Sequence, residues 1–170
     1  MLFPIGDEQV RGGHFPLFSY GFIALNVAIF LFQVNLPPGQ LNAFINDYGS
    51  IPAETIEGQD LFTLFTSMFL HGGWMHIIGN MLFLWVFADN IEATIGNFRF
   101  FIFYILGGLA AHAAHIYFNW GSPVPTVGAS GAIAAVMGAY LVMFPASRVR
   151  MLFFIFTFRI PAFVFLGFWI

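Results

Sequence analysis

Between Arg99 and Arg148 the chain carries no charged residue. A water-soluble fold could hold so long a neutral stretch only if the remainder supplied the polar surface. It does not: 8% of the 170 residues are charged and 59% are hydrophobic, against about 25% charged in a soluble domain. The chain therefore reads as a polytopic membrane protein whose first partner is the lipid bilayer. At roughly 20 residues per span, its length allows about five or six crossings. Five apolar segments stand out, at about 17–36, 74–90, 98–118, 128–144 and 160 onward to 170. The expected fold class is all-α, a transmembrane helix bundle in a single domain 1–170. A polar lead (residues 1–16) precedes it, and a long outer loop (residues 37–70) joins the first two helices.

The stretch "LFTLFTSMFLHGG" within that loop is apolar but too short to span before Gly72 and Gly73 interrupt it. It reads as re-entrant or interfacial. The last segment is broken by Arg159 and Pro161, so its span is expected from about Ile160. All five basic residues are arginines. If the spans alternate, Arg11, Arg99, Arg148, Arg150 and Arg159 all fall on one side. The loops 37–70 and 119–126 carry no Lys or Arg and, in the first, four acids. The positive-inside rule then places the N-terminus in the cytoplasm. The absence of cysteine excludes disulfides, thiolate nucleophiles and Cys-based zinc sites. Without a basic patch, nucleic acid is not an expected partner.

Polar side chains in the apolar segments are expensive and mark function or interhelical bonding. His71, His76 and Asn80 lie in "HGGWMHIIGN". His76 and Asn80, four apart, share one helix face. Interhelical hydrogen bonding accounts for them as well as chemistry does. Zinc is a weaker third reading, because the helical zinc motif needs histidines four apart with Glu after the first, and here the spacing is five with Gly72 following. The second and fourth spans enter from the same outer face, so His76 and Asn80 can approach Ser130 in "GASG". With the backbone N–H of Ser130 they could form an oxyanion hole, whose donors stabilise the charge developing in acyl transfer.

"HGGWMHIIGNMLFLWVFADNIE", followed about fifty residues later by "GASGAIAAVMGAY", resembles the rhomboid family of intramembrane serine proteases. That family carries HxxxxHxxxN on its second helix and GxSG at the start of its fourth. The resemblance implies that Ser130 is the nucleophile and that Gly128 shapes the loop before it. It makes His76 and Asn80 oxyanion donors, His71 an anchor of the long outer loop, and Glu92 an acid supporting that loop. It implies no cofactor and no metal. Phe62–Thr63 stand where many relatives have Trp-Arg. The family's base histidine sits on a sixth helix, which these 170 residues do not reach, so the chain is expected to be a part of a longer protein and inactive alone. His112 and His115 are expected to be packing contacts, and His14 lies on the cytoplasmic side.

Gly131, Ala135 and Gly138 form a small-residue face on the fourth segment, expected to pack against the sixth helix of the family. Gly107, Gly108 and Ala111 form a similar face on the third. The function implied is an endopeptidase cleaving transmembrane segments of membrane proteins, in a prokaryotic plasma membrane. The alternative is a non-catalytic rhomboid-like protein that binds transmembrane helices. A small transporter ranks last, since no inverted repeat is visible.

Overall fold

The computed structural model describes residues 2–8 and 15–167. Arg11, His14 and residues 168–170 of the last apolar segment lie outside them. In chain order the elements are β1 (Leu2–Gly6), α1 (Leu17–Val34), α2 (Pro38–Tyr48), α3 (Pro52–Ile56), α4 (Thr63–Thr66), a 3-10 turn (Ser67–Phe69), α5 (Trp74–Ile95), α6 (Asn97–Phe118), α7 (Ser130–Met143), β2 (Arg148–Phe153), β3 (Phe156–Pro161) and α8 (Ala162–Gly167).

The fold is mostly helical; α1 and α6 lie within two residues of the expected segments, whereas α5 runs five residues beyond the expected end at about 90. α1 and α6 are long and apolar enough to cross a membrane. α7 is shorter than the 128–144 segment, with 14 residues and a length of about 21 Å, because Gly128 and Ala129 belong to the turn before it. The long loop is not featureless. It holds α2, α3, α4 and the 3-10 turn, and it is tied to the segment before α7 by a two-way backbone bridge between Ser50 and Thr126.

Two expectations about the secondary-structure elements are corrected. The fold is not all-helical: β1, β2 and β3 form an antiparallel sheet in that order. The polar lead supplies β1, which pairs with β2 about 150 residues away (Phe3 opposite Leu152, Pro4 opposite Met151). Secondly, no helix begins at Ile160, because β3 runs through it to Pro161 and α8 starts at Ala162. The reason is a period of two in β2. Val149 and Met151 are buried while Arg148 and Arg150 are exposed, which suits a pleated strand packed on one face. Asp7 fastens the sheet to the helices: its carboxylate accepts hydrogen bonds from the Tyr140 hydroxyl and the Asn90 amide.

The core runs between α1, α5, α6 and α7, around Leu84, Phe87, Phe100, Tyr104, Val136 and Tyr140. Phe22 stacks on Tyr104 at 4.2 Å and Phe87 meets Tyr140 edge-on at 4.9 Å. A single residue, Gly96, joins α5 to α6 at φ 87°, in a region where a side chain would be strained. α6 and α7 approach so closely that a Cβ on Gly107 would lie 2.5 Å from the Cβ of Ala135. One on Gly131 would lie 2.5 Å from that of Ala111. The small face of α7 thus packs on the small face of α6. This corrects the expected sixth-helix partner for Gly131 and Ala135. Gly138 has open space at its Cβ position.

Glu92 departs from expectation in what it holds. It is fully buried on α5, and its carboxylate accepts the backbone N–H groups of Phe18 (2.8 Å) and Ser19 (2.7 Å) and the Ser19 hydroxyl (2.6 Å). It caps the start of α1, satisfying N–H groups that have no intrahelical acceptor, and does not bond the long loop. Glu92→Gln keeps one acceptor oxygen but turns an amide donor toward existing donors. It should lower stability by about 1.5–3 kcal/mol, read as a fall in the thermal midpoint in detergent. An unchanged midpoint would contradict this account.

Candidate active site

Ser130 opens α7 at the end of the molecule away from the sheet. Its placement begins with Gly128, whose φ of 129° is a conformation costly for any residue with a Cβ. The Gly128 N–H donates to the Ser67 carbonyl at 2.8 Å, and Ala129 caps the helix. Ser130 is then the first helical residue, exposed, where the backbone N–H groups of the first turn lack intrahelical acceptors.

His76 sits in the first turn of α5, directly against that loop. A Cβ on Gly128 would lie 2.8 Å from both Cε1 and Nε2 of His76, and 3.7 Å from Ser130 Oγ. Only glycine leaves room for the ring there. The Gly72 N–H points at His76 Nδ1 from 3.4 Å. That makes Nδ1 the acceptor and leaves the proton on Nε2, the nitrogen facing Gly128. One turn along α5, Asn80 Nδ2 is buried with no hydrogen-bond acceptor among the described residues.

His76, Asn80 and Ser130 line one groove of about 490 Å³ between α5 and α7, whose remaining walls include Met75, Phe83, Ile133 and Met137. An apolar cleft with a few convergent polar groups is the ordinary form of a small binding site. An oxygen bearing negative charge at the polar end would find donors in Asn80 Nδ2, His76 Nε2 and the start of α7. The helix N-terminus favours that charge.

His112 and His115 are engaged elsewhere. His112 Nδ1 donates to the Gly108 carbonyl at 3.0 Å, so its Nε2 accepts from the Ser67 hydroxyl at 2.9 Å. His115 Nε2 bonds the Thr126 hydroxyl at 2.8 Å. The two line a smaller cavity of about 170 Å³ on the far side of the Gly128–Ser130 turn. Ser67 and Thr126 are the residues that sequence reasoning missed: through them α6 holds the segment that presents Ser130. Nothing local marks them, since Ser67 lies 45 positions from His112.

His71 lies outside the groove lining. It is buried just before α5, and its N–H and C=O bond the Gln33 side chain at the end of α1, at 3.0 and 3.3 Å. Its ring meets that of His76 edge-to-face at 5.0 Å. Among the described residues no three His, Cys, Asp or Glu side chains come together as metal ligands. Burial lowers the His71 pKa to about 4, with His76 adding to the effect. The unfolded chain takes up this proton near pH 6.5 and the folded chain only near 4. Stability from His71 is therefore complete above about pH 6.5 and is lost as pH falls toward 4. Thermal midpoints from pH 7.5 to 4.5 should decline less steeply in His71→Phe than in the native protein; parallel slopes would contradict this.

Comparison with known proteins bears on the same residues. The Rhomboid domain family matches residues 58–170. "Rhomboid protease GluP" of Bacillus subtilis is 33% identical over 134 residues, covering 78% of this chain and 26% of its own. The human "Presenilin-associated rhomboid-like protein, mitochondrial" is 30% identical, covering 78% of this chain and 34% of its own. The "Rhomboid protein 1, mitochondrial" of Saccharomyces cerevisiae is 26% identical, covering 84% and 40%. The chain thus spans between about a quarter and two fifths of the length of these relatives. The match runs through the loop, α5, the Gly128–Ser130 turn and α7: the chain belongs to the rhomboid family.

Proposed function

We propose that this chain carries the nucleophile and the oxyanion-binding groups of an intramembrane serine endopeptidase. The observation that carries the reading is the groove between α5 and α7. There Ser130, His76 and the acceptor-less amide of Asn80 come together from segments about fifty residues apart. A relative that bears the name of a rhomboid protease supports it.

On this reading α1, α5, α6 and α7 cross the bilayer. The described arginines, Arg99, Arg148, Arg150 and Arg159, lie at the sheet end, and the acids of residues 37–70 lie at the Ser130 end. The positive-inside rule then puts the sheet and the N-terminus in the cytoplasm and Ser130 near the opposite face. A bacterial plasma membrane suits the orientation. The substrate is a transmembrane helix unwound at its end beside the groove, and no cofactor takes part.

Ser130 Oγ attacks the scissile carbonyl carbon, and the carbonyl oxygen gains a negative charge held by Asn80 Nδ2–H, His76 Nε2–H and the Ser130 N–H. His76 is a donor in this tautomer and does not receive the hydroxyl proton. His112 and His115 have their acceptor nitrogens engaged. The proton goes to a base that the family resemblance places on a later helix. The amine leaves with a proton, and water then hydrolyses the acyl-enzyme.

His76 acts as a donor, His112 and His115 are engaged, and His71 lies outside the groove lining, which favours a second reading, a non-catalytic protein that binds transmembrane helices in the same groove. The full-length protein in proteoliposomes with a membrane-embedded reporter decides between them. The endopeptidase cuts within the reporter's transmembrane segment, whereas binding without cleavage establishes the alternative.

A further inference from the structure

The hairpin of β2 and β3 has two unlike faces. Residues opposite each other on antiparallel strands share a face, so Val149 with Ile160, Met151 with Phe158, and Phe153 with Phe156 form one side. At its base Val149 and Met151 are fully buried against the helices. Toward the turn the same side runs out beyond them: Phe153 and Phe158 are each 42% exposed and Phe156 68%. The turn itself is Phe154–Ile155, and Phe154 has φ 54°, a conformation that hairpin turns normally give to Gly or Asn.

The other side carries Arg148, Arg150 and Arg159, all exposed. Arg150 and Arg159 are direct cross-strand partners, an arrangement of like charges that costs stability. Neither makes an ion pair with any described residue. The hairpin is also fixed in position. The Ala162 N–H donates to the Ser147 carbonyl at 2.8 Å, which pins its base where α7 has just ended and α8 begins.

We propose that the β2–β3 hairpin is an interfacial anchor: its Phe153–Phe156–Phe158 side and Phe154–Ile155 tip enter the cytoplasmic leaflet, and its arginines lie among anionic lipid headgroups. The inference rests on reading the long helices as membrane-crossing, which sets the depth of the hairpin base at the bilayer boundary. An amphipathic element there buries its apolar side at the headgroup–acyl boundary. Anionic headgroups attract the arginines and remove the repulsion between Arg150 and Arg159. The exposed phenylalanines and the strained apolar turn are then placed in the one solvent that favours them.

These 170 residues contain no cysteine, so in the full-length protein, with any cysteine elsewhere replaced by serine, single spin labels can be attached at Ile155→Cys, Thr157→Cys and, mid-α6, Leu106→Cys. The labelled protein is placed in phosphatidylcholine vesicles with or without phosphatidylglycerol, and collisions with oxygen and with a water-soluble nickel chelate are measured. With phosphatidylglycerol, labels at 155 and 106 should favour oxygen several-fold over nickel, while the label at 157 favours nickel. Omitting phosphatidylglycerol, or combining Arg150→Gln with Arg159→Gln, should move the label at 155 toward water. Inorganic phosphate added to phosphatidylcholine vesicles should not reverse that shift. A label at 155 as open to nickel as that at 157, with 106 still in lipid, overturns the anchor and leaves the membrane reading standing. Nickel access at 106 overturns the membrane reading itself. Dipolar broadening between labels at 155 means that a second copy covers the hairpin, which also overturns the proposal.

Discussion

Ser130→Ala should reduce cleavage of a membrane-embedded reporter by the full-length protein to the uncatalysed background, a loss of about a thousandfold or more. Among the described residues the groove offers no substitute nucleophile, for Met75, Gly79, Phe83, Ile133, Ala134 and Met137 complete its lining around His76 and Asn80. The variant should fold as the native protein does. Ser130 is exposed, and its hydroxyl holds no other described residue. The position of α7 is set instead by the close approach of Gly131 to Ala111 and by the Gly128 bond to Ser67. Reporter cleavage and a thermal midpoint, measured together, check both halves. Retained cleavage would refute Ser130 as nucleophile.

Asn80→Ala should lower kcat by about a hundredfold or more while KM changes little, because the amide acts where charge develops and not on the ground-state peptide. The same substitution should leave stability unchanged or raise it by up to about 1 kcal/mol. Asn80 Nδ2 is buried without an acceptor among the described residues, so truncation removes a desolvated donor that these residues leave unpaired. This opposition separates a catalytic role from a structural one. A lower thermal midpoint with kcat intact would show Asn80 to be an interhelical contact, the reading that its sequence alone left equally open.

Much of this site is legible in the residues themselves. The four-residue spacing of His76 and Asn80 specifies one helix face, and the uncharged segments locate the helices that carry them. The Gly-Ala-Ser-Gly stretch locates the turn. What stays hidden depends on partners distant in sequence. Glu92 stands out as an acid in an apolar helix, but its bonds to Phe18 and Ser19 span more than seventy residues. The small face of α7 announces a close neighbour without naming α6. The sheet is hidden for another reason. Met151 is buried, but Phe153, Phe154, Ile155, Phe156 and Phe158 are exposed and just as apolar, which blurs the two-residue period and leaves a run that reads as a span. Only the alternation of Arg148 and Arg150 with Val149 betrays β2, and β1 becomes a strand only because β2 lies beside it.

The most direct measurement is the site of modification by a serine-reactive phosphonate in the membrane-reconstituted, full-length protein, mapped by mass spectrometry. A nucleophile backed by oxyanion donors predicts one adduct, on Ser130, formed markedly more slowly in Asn80→Ala. An unmodified Ser130, or adducts spread over other hydroxyls such as Ser67 and Ser122, would contradict the assignment.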